Sequence, residues 1–318
     1  METILTQLNP GKVKWRGIAN ILRKYRAQKY LFIMLLPVLA YFAIFHYGPI
    51  YGVLIAFQDY RILDGISGSP WVGLANFWDL FSGATFLQVL RNSLIINFYK
   101  LVFGFPAPIL LALLINEVNR SWFKKTVQTI SYMPHFLSWI ILSGLIIEIL
   151  SPSRGPVNLI LSWFGVKPIY FITEPGWFRS ILVSSEIWRN VGFSTIIYLA
   201  AIAGINPEMY EAAEVDGINR IRKIWYITLP SMIPVIVILL ILATGSIIND
   251  DFEQVYNLLN AKVQDVGNVI STYTYTEGLT RMNYSYAAAV GLFKNVVSLV
   301  MVLSANMLAK KLTEETII

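Results

Sequence analysis

Long apolar runs alternate with polar intervals along the 318 residues of the chain. About 20 apolar residues in a helix are enough to cross the roughly 30 Å hydrocarbon core of a bilayer. One of the runs, at residues 232–248, is short for a crossing unless residues 227–231 contribute to it. The pattern predicts an all-α integral membrane protein with about six transmembrane helices, at residues 31–57, 92–115, 127–150, 181–205, 232–248 and 284–309.

The polar intervals between these runs are rich in proline and glycine, which end helices and favour turns. We predict that residues 59–88, 151–179 and 249–283 form loops on one side of the membrane, with a short helix at 157–163. Residues 117–125 and 206–230 connect the runs on the other side. The chain is expected to form one membrane domain over residues 30–310, preceded by a basic segment at 1–29 and followed by a tail at 311–318.

Composition supports this reading and gives it a direction. Hydrophobic residues make up 56% of the chain and charged residues 14%, with a mean hydropathy of +0.58, whereas about a quarter of a soluble domain is charged. Of the 25 Lys and Arg residues, 15 lie at residues 1–29 and 310–318 and in the connections at 117–125 and 206–230. Basic residues are in excess on the cytoplasmic side of membrane proteins, so both termini are predicted to be cytoplasmic. The net charge of +6 is therefore attributed to topology and not to nucleic-acid binding.

Residues 206–230 form the longest polar interval with a recognisable pattern. Asn206 can cap a helix, and Pro207 suits the first helical position because no backbone N–H is needed there. Good helix formers continue to Asp216, and Gly217 breaks the run. A second helical stretch from Ile218 leads into the fifth apolar run. The interval is thus predicted to hold a short, rigid helix bounded by a cap and a turn.

The spacing Glu211-Ala212-Ala213, then Gly217, then Ile227, Leu229 and Pro230 resembles the EAA loop of ABC importer permeases. The resemblance implies a MetI-like permease fold, in which this loop is a cytoplasmic coupling helix that docks on an ATP-hydrolysing subunit. The alternative is an ordinary amphipathic connector between two membrane helices. The residues assigned to coupling on this basis are Glu211, Ala212, Ala213, Asp216, Gly217, Ile227, Leu229 and Pro230.

Motifs for chemistry on the chain itself are missing from the sequence. It has no Gly-x4-Gly-Lys-Ser/Thr phosphate-binding loop and no Gly-x-Ser-x-Gly elbow. His46 and His135 lie in different runs, and there are no cysteines, so neither a metal site nor a disulfide is expected. No catalytic residues and no cofactor are therefore expected on this chain, and the resemblance implies a transport subunit whose partner binds ATP and Mg.

Several polar side chains fall inside or beside the apolar runs, where ionisable groups are costly and suggest a pathway or a pair. Glu186, Arg189 and Asn190 stand at helical spacing on one face, beside Trp188 and Phe193. Aromatic faces beside carboxylates and amides suit a sugar. The alternatives are an ion pair between helices for Glu186 and Arg189 and a solvated helix end for the acids after residue 248. For Lys100, pairing with Glu148 or Glu186 or snorkelling outward is favoured over a substrate role.

Residues 186–198, 251–260 and 284–295 also resemble the carbohydrate-uptake branch of these permeases, nearest to the oligosaccharide type. That resemblance implies a second permease subunit, two ATP-binding subunits and an extracytoplasmic solute-binding protein at the cytoplasmic membrane. It leaves open whether this chain or the second permease holds the main sugar site. The substrate-pathway residues assigned on this basis are Glu186, Trp188, Arg189, Asn190, Phe193, Asn249 and Asp251.

Three other functions remain open at this point. The same machinery could import an amino acid, a peptide or another polar solute. A membrane-embedded enzyme acting on lipid-linked sugars would also place carboxylates in a cavity. A structural membrane scaffold would need neither the cavity nor the coupling helix.

Overall fold

The computed structural model describes residues 28–313. Within that range the chain is helical, and the one extended pairing is an isolated antiparallel bridge between Gln58 and Trp71. The predicted basic segment at 1–29 and tail at 311–318 fall outside the described residues, apart from residues 28–29 and 311–313. The predicted all-α membrane fold is confirmed.

Sixteen α-helices make up most of the described chain, and tighter or wider helical turns continue several of them. Their bounds are α1 Lys29–Phe42, α2 Gly65–Gly68, α3 Ala75–Ser82, α4 Ala84–Tyr99, α5 Pro106–Asn116, α6 Ser121–Tyr132, α7 Trp139–Ile149, α8 Pro156–Trp163, α9 Pro175–Ala203, α10 Pro207–Val215, α11 Arg220–Lys223, α12 Leu229–Gly245, α13 Phe252–Leu258, α14 Gln264–Gly267, α15 Ile270–Tyr275 and α16 Tyr284–Thr313. Wide π-type turns occupy Ala43–Tyr47, Lys100–Gly104, Ile224–Thr228 and Thr276–Thr280, and 3-10 turns occupy Gly48–Phe57, Met133–Phe136, Phe171–Thr173 and Ala261–Val263.

Four continuous helical segments in residues 28–313 are long and apolar enough to cross a membrane, and two bent pairs raise the number to six. The bent pairs are Ser121–Phe136 with Trp139–Ile149, at 108°, and Pro175–Ala203 with Pro207–Val215, at 70°. α9 has 29 residues, which is ample length, but it carries three ionised side chains that lower its hydropathy. The continuous segments are Lys29–Phe57, Ala84–Asn116, Arg220–Gly245 and Tyr284–Lys310.

The third predicted span, at 127–150, is broken near Pro134, the residue at which the sequence predicts an interruption, and it forms two helices that meet at 108°. The chain is extended at Leu137, and Ser138 caps the new helix α7 by accepting the Ile141 N–H at 3.4 Å. Pro134 lies in the preceding 3-10 turn, and a proline interrupts helical hydrogen bonding there. The chain therefore changes direction between the amphipathic helix α6 and the apolar helix α7.

Three other spans are longer than predicted, because polar residues at their ends interrupt the apolar pattern. The second begins at Ala84 and the fourth at Pro175, eight and six residues before the predicted starts. The fifth is continuous from Arg220 to Gly245, so residues 227–231 do belong to it. Its predicted end at residue 248 is three residues too late. The predicted helix at 157–163 is confirmed as α8.

Two compact units divide the chain, Met1–Leu54 and Ile55–Ile318. The described part of the first unit is α1, its π-type turn and the start of the following 3-10 turn. The second unit contains three buried apolar clusters, and α9 contributes to two of them. These clusters are centred on Trp139, Phe178 and Leu182; on Leu80, Phe86 and Ile270; and on Ala112, Tyr198 and Met232.

A very close approach between two helices occurs where Gly192 of α9 meets the end of α6. A Cβ atom added at Gly192 would lie 2.1 Å from the carbonyl oxygen of Ser131. No real Cβ atom is found so near a backbone oxygen, so the two backbones touch only because residue 192 has no side chain. This contact fixes the separation of α6 and α9.

Candidate functional site

α10 is a nine-residue helix held at both ends by its own sequence. Asn206 Oδ1 accepts the Glu208 N–H at 3.0 Å, as expected of a helix cap. At the other end the Ile218 N–H bonds Ala213 O at 2.9 Å and the Gly217 N–H bonds Glu214 O at 3.0 Å. This is the Schellman arrangement, and Gly217 adopts the left-handed φ of +69° that it requires. The predicted cap and glycine turn are confirmed.

Contacts from the following segment fix α10 in place. The Tyr210 and Thr228 hydroxyls are 2.8 Å apart, and Lys223 Nζ donates to Glu214 Oε1 at 2.7 Å. That hydrogen bond and the lysine charge lower the pKa of the Glu214 carboxyl. Ala213 is the buried residue of α10. α10 is thus a short rod joined by side chains to the start of the fifth span.

The predicted coupling residues divide between the surface and the base of this rod. Glu211, Ala212, Asp216 and Gly217 are exposed, so α10 presents an accessible face with a carboxylate on it. Ala213 and Ile227 are buried, Leu229 is half-buried and Pro230 is exposed at the start of α12. Four residues of the set therefore form the exposed face and the turn, two are buried, and the last two lie at the start of α12.

A cavity of about 410 Å³ lies among α4, α5, α9 and α12. That volume falls within the range of small-ligand sites. Three of the predicted pathway residues line it: Glu186 and Asn190 from α9 and Asn249 from the end of the fifth span. The remaining lining is mostly apolar and comprises Asn97, Lys100, Leu101, Gly104, Phe105, Pro108, Ile187, Val191, Ser194, Ile197, Tyr198, Leu239, Ala243, Ser246 and Ile247.

A charged pair stands in the wall of the cavity. Lys100, in the π-type turn after α4, forms an ion pair with Glu186, and its Nζ also donates to Gln254 Oε1 at 2.7 Å. Gln254 is fully buried and passes the network on to Leu182 O and Ser185 Oγ, at 2.6 and 2.8 Å. The Lys100 and Glu186 side chains are 11% and 29% exposed. An ion pair so poorly hydrated is costly to break from one side.

Arg189 does not share the cavity with Glu186. Its Nη1 lies 3.7 Å from Asp251 Oδ2, and its guanidinium sits 4.8 Å from the ring centroid of Trp139. Trp139 Nε1 donates to the same Asp251 oxygen. Asp251 also caps α13 by accepting the Gln254 N–H at 3.3 Å. The sequence placed Glu186 and Arg189 on one face, whereas the structure pairs each of them with a different element.

The two predicted aromatic residues also lie outside the cavity lining. Phe193 stacks on His135 with ring centroids 3.9 Å apart, and His135 Nδ1 is 3.1 Å from Asn190 Oδ1. Trp188 is 41% exposed on α9. Asn190 is therefore the residue that connects the aromatic pair to the cavity.

Asp250 is one of the acids after residue 248 for which the sequence left a cavity lining or a solvated helix end open, and the structure holds it in hydrogen bonds. Its Oδ1 accepts from Asn97 Nδ2 at 2.8 Å, and its Oδ2 accepts from Ser93 Oγ at 2.9 Å and from the Ser271 N–H at 3.4 Å. Burial raises the pKa of the Asp250 carboxyl, against the opposing effect of these hydrogen bonds. A signal was present: Ser93, Asn97 and Lys100 recur at four and three residues in an apolar run, which places them on one helix face.

No group of three or more His, Cys, Asp or Glu side chains in residues 28–313 is placed to hold a metal ion. The charged and amide groups of the region are instead paired with one another. The arrangement can bind a polar solute by hydrogen bonds in the cavity, and it leaves α10 free to contact another protein.

Comparisons with known proteins agree on one family. Residues 104–314 match the protein family described as binding-protein-dependent transport system inner membrane component. The polygalacturonan/rhamnogalacturonan transport system permease protein YteP of Bacillus subtilis (strain 168) is 48% identical over 298 residues, which is 94% of this chain and 93% of that protein. The protein LplB of the same organism is 42% identical over 316 residues, 99% of each chain.

A solved structure carries the same fold. It is a bacterial alginate ABC transporter in complex with an alginate pentasaccharide-bound periplasmic protein, and its matching chain is 43% identical. The TM-score is 0.86, with 93% of this chain and 99% of that chain covered. The region matched by the family model includes α10 and the cavity walls formed by α9 and α12. The chain belongs to the family of binding-protein-dependent transport system inner membrane components and is a permease subunit of an ABC transporter.

Proposed function

We propose that this permease forms, with a second permease subunit, the pathway by which an ATP-driven importer moves an oligosaccharide into the cell. An extracytoplasmic binding protein delivers the sugar, and two ATP-binding subunits, which hold ATP and Mg, supply the energy. The relatives support the sugar, because they are named for polygalacturonan/rhamnogalacturonan and alginate transport. The observation that carries the proposal is the cavity whose walls are the two spans joined by α10.

The proposed mechanism follows from that connection. α9 enters α10 at a bend of 70°, and α11 leads from α10 into α12 without a break in the helical segment Arg220–Gly245. Both α9 and α12 line the cavity. A displacement of α10 by an ATPase subunit therefore reaches two walls of the same cavity and changes its shape. ATP binding opens the cavity outward in this scheme, and hydrolysis returns it to the inward-facing form.

The proposed orientation places α10 and both termini in the cytoplasm. The basic connections at 117–125 and 206–230 favour this side. The cavity residues Glu186, Asn190 and Asn249 are the proposed sugar contacts, with Lys100 holding the Glu186 carboxylate in place. Phe193 supports Asn190 through His135, whereas Arg189 and Asp251 pair with each other and Trp188 is exposed, all outside the cavity lining.

The test is uptake by the complete transporter in proteoliposomes, with its binding protein and ATP supplied. Oligosaccharides should accumulate inside, and Asn190→Ala should raise the KM for the sugar while leaving sugar-free ATP hydrolysis unchanged. Uptake of amino acids or peptides but not of sugars would refute the proposed substrate. Conversion of a lipid-linked sugar by the purified chain without any ATPase subunit would refute transport as its function.

A further inference from the structure

Three aromatic rings, of which one is half-buried and two are exposed, form a patch beside the cavity. Phe252 and Tyr256 lie one turn apart on α13, and Tyr275 ends α15. Their ring centroids are 5.0 Å apart for Phe252 and Tyr256, 5.1 Å for Phe252 and Tyr275 and 5.3 Å for the two tyrosines. Tyr256 is 51% exposed and Tyr275 36%. We call these three residues the aromatic cluster.

The opposite face of α13 is anchored, so the aromatic cluster is held in a fixed place. Gln254, Val255 and Leu258 are buried, and Gln254 bonds Leu182 O and Ser185 Oγ of α9. The rings are therefore exposed on a helix that is firmly anchored. Neither tyrosine hydroxyl has a hydrogen-bond partner in the described part of the chain. Rings with apolar faces and free hydroxyls are typical of surfaces that bind a partly polar partner.

The position of the aromatic cluster ties it to the cavity. Asn249 lines the cavity and precedes Phe252 by three residues, so their Cα atoms are at most about 11 Å apart. The cluster also stands at the end of the fifth span away from α10. Arg220–Gly245 has 26 residues, which corresponds to about 39 Å of helix. In the proposed orientation this is the side from which the sugar arrives.

We propose that the aromatic cluster is an entry subsite for a pyranose ring of the oligosaccharide, occupied before the sugar enters the cavity. A pyranose presents a face of C–H groups that stacks on aromatic rings, while its hydroxyls bond the free hydroxyls of Tyr256 and Tyr275. The subsite accounts for an oligosaccharide better than for a single sugar, since a chain of several rings spans cluster and cavity together. The inference rests on the proposed function.

The test uses an oligosaccharide carrying a photoreactive diazirine, delivered by the binding protein to the complete transporter. Mass spectrometry then locates the labelled peptides. We expect labelling within residues 252–275 as well as within 186–198, and Tyr256→Ala should reduce the first about tenfold. Tyr256→Phe keeps the ring and should retain most of the labelling. Tyr170→Ala removes a tyrosine that is 65% exposed in another loop and should change neither.

Several outcomes would overturn the proposal. Labelling within 186–198 but not within 252–275 would refute the subsite and leave sugar transport intact. A photoreactive residue placed at 256 that cross-links to the binding protein or the second permease, whether or not sugar is present, would assign the patch to a protein contact. Absence of both labelling and sugar uptake would refute the proposed function itself. Sugar-free ATP hydrolysis, unchanged in every variant, shows that the transporter has assembled.

Discussion

The turn at Gly217 allows the coupling role of α10 to be tested at a single atom. Gly217→Ala adds a Cβ that meets no atom within 4 Å, so the substitution introduces no steric clash. Its cost is conformational, because a residue with a side chain in the left-handed region loses about 1–2 kcal/mol. The Schellman hydrogen bonds from Gly217 and Ile218 depend on that conformation.

The expected magnitude follows from this cost. A change of about 1.4 kcal/mol is tenfold in an equilibrium, so the ordered end of α10 should become less favoured by a factor of about 5 to 30. If transport needs the rigid rod, the initial rate of sugar uptake in proteoliposomes should fall by up to that factor, which is reached when the rate is proportional to the equilibrium constant for the ordered end. Gly217→Asn should be milder, since asparagine tolerates the left-handed region. The amount of permease in the membrane should not change.

Gly204 supplies the matched control. It also follows a helix end, α9, but its φ is −84°, and a Cβ there would make an ordinary contact at 3.5 Å with Ala201 O. Gly204→Ala should therefore leave uptake unchanged. Normal uptake by Gly217→Ala would refute the reasoning, and so would an equal loss in both variants.

Three further predictions concern charged groups. Glu211→Lys should abolish uptake while the protein remains in the membrane, because it reverses the charge on the exposed face of α10; normal uptake would remove the coupling assignment. Lys100→Met leaves Glu186 without its partner and should cost about 3–5 kcal/mol of stability, measured as a lower unfolding midpoint in detergent. The double variant Lys100→Met, Glu186→Gln should recover most of that stability. The Lys223 hydrogen bond lowers the pKa of Glu214 below its ordinary 4.5, so the pair stabilises the fold fully above pH 4.5 and progressively less as the pH falls through the lowered pKa. The difference in unfolding midpoint between the wild type and Glu214→Gln should follow that curve, and a pH-independent difference would contradict it.

The parts of the fold that follow from local chemistry were predictable from the sequence. A cap, a proline at the first position and a glycine after the last are signals within one short segment, so α10 and its turn could be assigned at residues 206 and 217. The apolar runs likewise indicated the membrane helices. Their ends were less well defined because Arg179 and Arg220 lie inside helices, although charged residues usually mark the limits of a span.

The parts that depend on distant residues were not predictable. Helical spacing put Arg189 near Glu186, but Arg189 pairs with Asp251, which packing brings close. Pairing of Lys100 with Glu186 was one of the alternatives that the sequence left open, and packing decided between them. Pro134 marks the break between α6 and α7 in the sequence, but the 108° angle between the two helices could not be predicted from it. Sequence periodicity reports which residues share a face and is silent about what that face meets.

The contact between Gly192 and Ser131 restricts which amino acids this chain can carry. Even alanine, the smallest replacement, would push its methyl group into a carbonyl oxygen that belongs to the backbone and cannot rotate away. A substitution of Ser131 cannot relieve the clash, because the oxygen belongs to the backbone and stays in place whatever the side chain is. In a library of all variants at residue 192, only those that encode glycine should survive selection for a working permease.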